Sequence, residues 1–168
     1  PKWAASTSTR AFRTDGYYIL PDEFLGPVDT KAGVDFVTGY GRVDYFAGRN
    51  RFFTRFDMLA EDRDNGTVRQ RNSTSLGMLA GHYTREFSND TFSVLGFHTR
   101  EEYRSFFSAI AADRRTENLT TYQSVPATSS GGAALWNLRR RSINATFGGD
   151  ARQVQGFSNE FVYSTSLN

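Results

Sequence analysis

The sequence predicts an all-β chain, an antiparallel up-and-down meander of about seven or eight strands forming part of a transmembrane β-barrel. Three observations carry that expectation. Apolar and polar residues alternate with a period of two: along 49–63, Phe52, Thr54, Phe56, Met58 and Ala60 fall on one face, with Arg55, Asp57 and Glu61 on the other beside Phe53 and Leu59. Composition favours strands, with 15 Phe against 2 Met and 4 Pro. Connections alternate between long polar segments and turns of a few residues, the asymmetry that membrane barrels show between their two ends.

Residues 2–12 alternate Trp3, Ala5, Thr7, Thr9 and Ala11 against Lys2, Ser6, Ser8 and Arg10, which predicts the first strand. From Thr14 to Gly33, Asp15-Gly16, two prolines and Gly26-Pro27 predict a long loop. A second strand spans 37–47, and Gly48, Arg49 and Asn50 turn it into the strand of 49–63. A polar loop, 64–74, leads to a strand over 75–87. Ser88-Asn89-Asp90 is a turn signal, and the next strand covers 91–103. Residues 104–127 read as a long polar passage whose middle, FFSAIAADRR, has the composition of a short helix without a sustained apolar stripe. A strand over 131–138 turns through Arg139, Arg140 and Arg141 into a last one over 142–153, and the tail beyond Gly156 begins another loop or strand. Seven is odd, and bacterial single-chain barrels have even counts, so the sheet is expected not to close by itself.

A chain of 168 residues has room for one domain, here the whole of 1–168. Its net charge of +2, with arginines interspersed among acids, gives no support to nucleic-acid binding. The absence of cysteine excludes a disulfide scaffold and a thiolate metal site. No apolar run approaches the roughly 18 residues of a spanning helix. A mean hydropathy of −0.54 is uninformative for barrels, whose strands alternate.

No catalytic constellation emerges, and neither enzymatic activity nor a cofactor is expected. His82 and His98 stand on separate strands, and GxSxG and HExxH are both missing. An EF-hand placed on Gly66 puts Arg63 and Asn72 at ligand positions that need other side chains, which leaves only Asp62 and Asp64 for a looser calcium site. Five Asn-x-Ser/Thr sequons, at Asn65, Asn72, Asn89, Asn118 and Asn144, support an alternative reading as a soluble all-β ligand-binding module, a secreted glycoprotein. Trp3, Tyr45, Phe52, Phe97 and Trp136 suit either interfacial girdles or an ordinary core.

The stretches AFRTDGYYILPDEFLGPVDT, AEDRDNGTVRQRNST, SFFSAIAADRRTENLTTYQSVPA and GGDARQVQGFSNE resemble consecutive pieces of the β-barrel of bacterial TonB-dependent outer-membrane receptors. The resemblance runs over nearly the whole chain. It implies a segment of a larger barrel in the outer membrane, whose parent imports a small nutrient such as an iron chelate, cobalamin or a sugar. Nothing here resembles the plug domain or the TonB box, so the segment alone is not expected to transport or to reach TonB. Its last residues, Ser164 to Asn168, lack the terminal aromatic strand of an outer-membrane protein. Candidate ligand contacts within this frame are Arg63, Asp64 and Arg69 in one external loop and Arg114, Arg115 and Tyr122 in another, because guanidinium forks and aromatic faces suit anionic or ring-bearing ligands. Two unpaired edges and an apolar outer band would make the isolated segment self-associate.

Overall fold

Alternation of the kind seen in the sequence makes a ribbon with two chemically distinct sides, and a computed structural model, which describes residues 2–163, shows one such ribbon. It is a single antiparallel sheet: β1 (Trp3–Tyr17), β2 (Ala32–Ala47), β3 (Asn50–Asp64), β4 (Arg71–Glu86), β5 (Asp90–Ile110), β6 (Glu117–Arg140) and β7 (Ile143–Gly156) lie side by side in sequence order. β8 (Asn159–Val162) pairs with β6 on the edge that β7 occupies lower down, so it prolongs the β7 edge past a break in the ladder. Among the described residues the sheet is open, and β1 and β7 present unpaired edges.

Pro126 accounts for that break. Phe157 donates its backbone N–H to the Pro126 carbonyl, and in a strand the N and C=O of one residue face the same neighbour. The missing proline donor therefore faces the interval between β7 and β8, where ladder pairing lapses.

Apart from β3, which has the length expected of it, the strands are longer than the sequence predicts, and β1 to β7 run from 14 to 24 residues. The long connections shrink accordingly. Residues 104–127, expected as a polar passage with a short helix, form the upper third of β5 and nearly the upper half of β6 around a turn at 111–116. Phe106, Ser108 and Ile110 keep a period of two there, and cross-strand pairing outweighs the helical composition. The loop expected over 14–33 contains a single 3-10 turn, Asp22–Phe24, and spans only 18–31. Gly16, at φ +67°, lets β1 continue past Asp15 through a bulge. The predicted end asymmetry holds. One end has tight turns after β2, β4 and β6, while the other carries the loops 18–31, 65–70 and 111–116. The expectations for Ser164 to Asn168 lie outside the described residues.

A single sheet has no second layer to bury a face against, and the described residues contain almost no core. Val28 and Ala80 are the buried hydrophobic residues among them. Phe52, Phe56, Ile143 and Phe147 are 46%, 48%, 66% and 60% exposed.

Candidate functional site

Directly opposed residues share a side of the sheet, so the register assigns every side chain to one of two faces. The uncharged face carries Trp3 to Ala11 on β1, Tyr45 to Val37 on β2, Phe52 to Ala60 on β3 and Ile143 to Ala151 on β7, taking alternate residues, with no charged group among them. The ionic face carries Arg42, Asp44, Arg55, Asp57, Glu61, Arg63, Asp150 and Arg152. Six of these charges are mated along their own strands. Arg42 pairs with Asp44 at 2.6 Å, Arg55 with Asp57 at 2.7 Å and Arg63 with Glu61 at 2.8 Å. The Arg42 guanidinium also lies 3.8 Å from the centre of the Phe53 ring.

Trp3, Tyr45, Phe52 and Tyr83 occupy one level across four adjacent strands of the uncharged face. Phe92, Trp136 and Phe147 continue this aromatic row two residues lower on β5 to β7. Phe97, expected to join it, falls on the ionic face instead. The uncharged band is oblique. Trp3 is level with Gly149, six residues beyond Ile143, so the band descends six residues over the six interstrand steps from β1 to β7. One residue of ~3.3 Å per strand spacing of ~4.8 Å is a slope of roughly 35°.

The three loops are tied into one clasp. Asp29 receives Arg114 through two guanidinium nitrogens, Nε at 2.7 Å and Nη2, and accepts the Gly26 N–H at 2.7 Å. The Asp29 side chain is only 4% exposed. The Arg114 fork holds its carboxyl down at about 2, against 3.8 ordinarily. Glu117 is buried and collects three donors: Thr67 Oγ1 at 2.5 Å, Ser108 Oγ at 2.5 Å and the Arg69 N–H at 3.0 Å. Backbone bonds complete the clasp, Val28 N–H to Arg114 O, Thr30 N–H to Gly66 O and Val68 N–H to Val28 O.

The structure disperses the six candidate contacts. Arg63 and Asp64 end β3, outside any loop, and point to opposite faces, with Arg63 committed to Glu61. Arg69 and Arg115 are exposed on separate loops, and Arg114 is consumed by Asp29. Tyr122 lies within β6, outside any loop, on the same face as the uncharged band. His82 and His98 face opposite sides, His98 Nδ1 lying 2.7 Å from Ser130 Oγ. Asp62 and Asp64 find no third acidic or histidine partner, since no group of three such residues occurs among the described residues. Of the five sequons, Asn65 and Asn89 are in connections and Asn72, Asn118 and Asn144 are within strands.

High on the uncharged side, above the band, four strands carry a second aromatic feature that the sequence did not single out. Phe106 and Tyr122 have centroids 4.8 Å apart, Tyr122 and Phe161 6.1 Å, and the Arg71 guanidinium stands 5.1 Å from the Phe106 centroid. Beside them is a concavity of about 470 Å³ lined by Asp62, Arg71, Ser73, Arg104, Phe106 and Tyr122, among others. No family model, curated protein or solved structure matches the chain.

Proposed function

We propose that this chain is part of the barrel wall of a TonB-dependent outer-membrane receptor, with its uncharged face against lipid and its ionic face toward a water-filled lumen. The observation that carries the reading is the oblique band. Its slope of roughly 35° falls in the roughly 35–45° tilt of barrel strands. On β1 the band covers nine residues, Trp3 to Ala11, about 26 Å along the strand and, at that tilt, a height of roughly 22 Å, close to the ~25 Å apolar belt of membrane barrels. An aromatic row floors it, as interfacial girdles do. A soluble module of this size would bury Phe52, Phe56 and Phe147, and here they are about half exposed or more. Nutrient or metal-chelate uptake then belongs to the parent receptor, and the clasped loops form part of its external mouth.

The absence of cysteine makes a direct test clean. Single cysteines at Phe56, Leu79 and Phe147, and at Arg55, Asp57 and Asp150, are spin-labelled in the chain reconstituted into vesicles. The first three are expected to relax with oxygen and resist a water-soluble nickel chelate, and the second three to do the reverse. Equal access of the chelate to both sets sinks the proposal.

A further inference from the structure

We propose that the strip Arg71–Phe106–Tyr122–Phe161, with the adjoining concavity, is a saccharide-binding platform on the outer wall of the protein. Its position above the membrane rests on the lipid-facing reading of the uncharged band; its chemistry does not. Phe106 is ten residues beyond Gly96, the last uncharged-band residue of β5, which places it roughly 27 Å above the band at ~3.3 Å per residue and a roughly 35° tilt. Directly opposed aromatic pairs help hold neighbouring strands together, and beyond that pairing Phe161 still leaves 62% of its surface exposed. The Phe106 and Tyr122 planes are inclined at 39° and do not stack face to face, whereas Tyr122 and Phe161 lie at 25° as a stacked pair and the Arg71 guanidinium stands over Phe106.

The surrounding polar groups select the ligand class. Asp62, Arg71, Ser73 and Tyr122 line the concavity, and none of them has a side-chain hydrogen bond among the described residues. They offer a carboxylate, a guanidinium and hydroxyls at the rim of an aromatic strip. Sugars present that combination in complement: axial C–H faces for rings, and vicinal hydroxyls that both donate and accept. Charge argues against phosphate or another polyanion. Arg104 is bound to Glu102 at 2.5 Å, and Asp62 offsets Arg71, so the site is close to neutral. A neutral oligosaccharide fits, whether free or carried on a surface glycolipid.

The test uses the whole chain in detergent micelles with a panel of neutral oligosaccharides (maltohexaose, cellohexaose, xylohexaose) and, separately, a rough-type and a smooth-type lipopolysaccharide. Saturation-transfer NMR is expected to show contact with at least one ligand, and Tyr122→Ala to weaken its affinity at least tenfold. Phe106→Leu, which keeps an apolar residue in the strand, is expected to weaken it several-fold, and Asp62→Asn likewise, while Phe56→Leu in the band has no effect. Binding to free oligosaccharides identifies a soluble ligand; binding only to smooth lipopolysaccharide identifies the polysaccharide of a surface glycolipid. No binding to any probe, or binding to both the wild type and Tyr122→Ala with one affinity, overturns the platform. Because binding in micelles does not require the band to face lipid, the spin-label experiment and this one fail independently.

Discussion

Arg114 shows what a single residue does in a fold without a core. It adopts a left-handed φ of +54°, a conformation that costs a side-chain-bearing residue roughly 1–2 kcal/mol. The same geometry lets its guanidinium reach Asp29 across 85 positions of sequence. Arg114→Gly removes the strain together with the ion pair, whereas Arg114→Ala keeps the strain and loses the pair. Hydrogen exchange at the Thr30 and Val68 amides is therefore expected to rise in both variants, and further in the alanine one, by roughly a factor of 5–30 between them, matching about 1–2 kcal/mol. Equal exchange in the two would show that backbone strain plays no part. Asp29 also sets a pH window. Its carboxyl is depressed in the folded clasp, so the stabilisation is complete above the ordinary value of 3.8 and disappears as pH falls toward about 2. An NMR titration of the Asp29 carboxyl carbon should give a midpoint near 2 in the folded chain; a midpoint close to 3.8 would mean that Arg114 does not hold it.

Among the elements, the tight turns fix the register that keeps the two faces chemically separate, because a slip of one residue exchanges them. The turn between β2 and β3 depends on Gly48 at φ +59°. Nothing crowds a side chain there, so only backbone conformation limits the position. Gly48→Asn is expected to be tolerated and Gly48→Val to cost about 1–2 kcal/mol, read as a lower urea midpoint in micelles. A similar midpoint for both would remove the turn as a register determinant. Gly131 depends on space instead, since a Cβ would stand 2.8 Å from the Phe97 ring and 2.9 Å from the Ala151 carbonyl. On the ionic face, i to i+2 pairs such as Arg55 with Asp57 let β2 and β3 neutralise charge without a partner from another element. Exposed as they are, such pairs contribute little to stability, and their effect is to keep a polar wall free of large net charge.

For the whole molecule, the decisive property is that burial has to come from outside the sheet. Phe56 sits midway up the uncharged band, so Phe56→Arg is expected to destabilise the vesicle-inserted chain by roughly 2–4 kcal/mol, with Leu59→Arg on the ionic face costing a fraction of that. Indistinguishable losses would contradict the assignment of the faces. With β1 and β7 unpaired, size-exclusion chromatography in plain buffer is expected to show oligomers, and detergent to be needed for a monodisperse chain. A clean monomer without detergent would count against the membrane reading.

Period-two alternation and turn chemistry are local properties, and they determined the all-β meander, the strand order and which connections are tight: Phe52 to Ala60 and Ile143 to Ala151 already showed their shared sides in the sequence. Strand ends were not local. Residues 104–110 and 117–127 extend because β5 and β6 pair across the 111–116 turn, and that pairing outweighs a helical composition that a residue-by-residue reading meets first. The clasp was invisible because Asp29, Thr67 and Arg114 come from three loops and Glu117 from the first residue of β6, and their composition matches any solvated turn. Tyr122 stood out as an aromatic beside arginines, but only cross-strand register decided that it joins Phe106 and Phe161 on one side of the sheet. The tilt of the apolar band is likewise a relation among seven strands, which exists only once their mutual register is set.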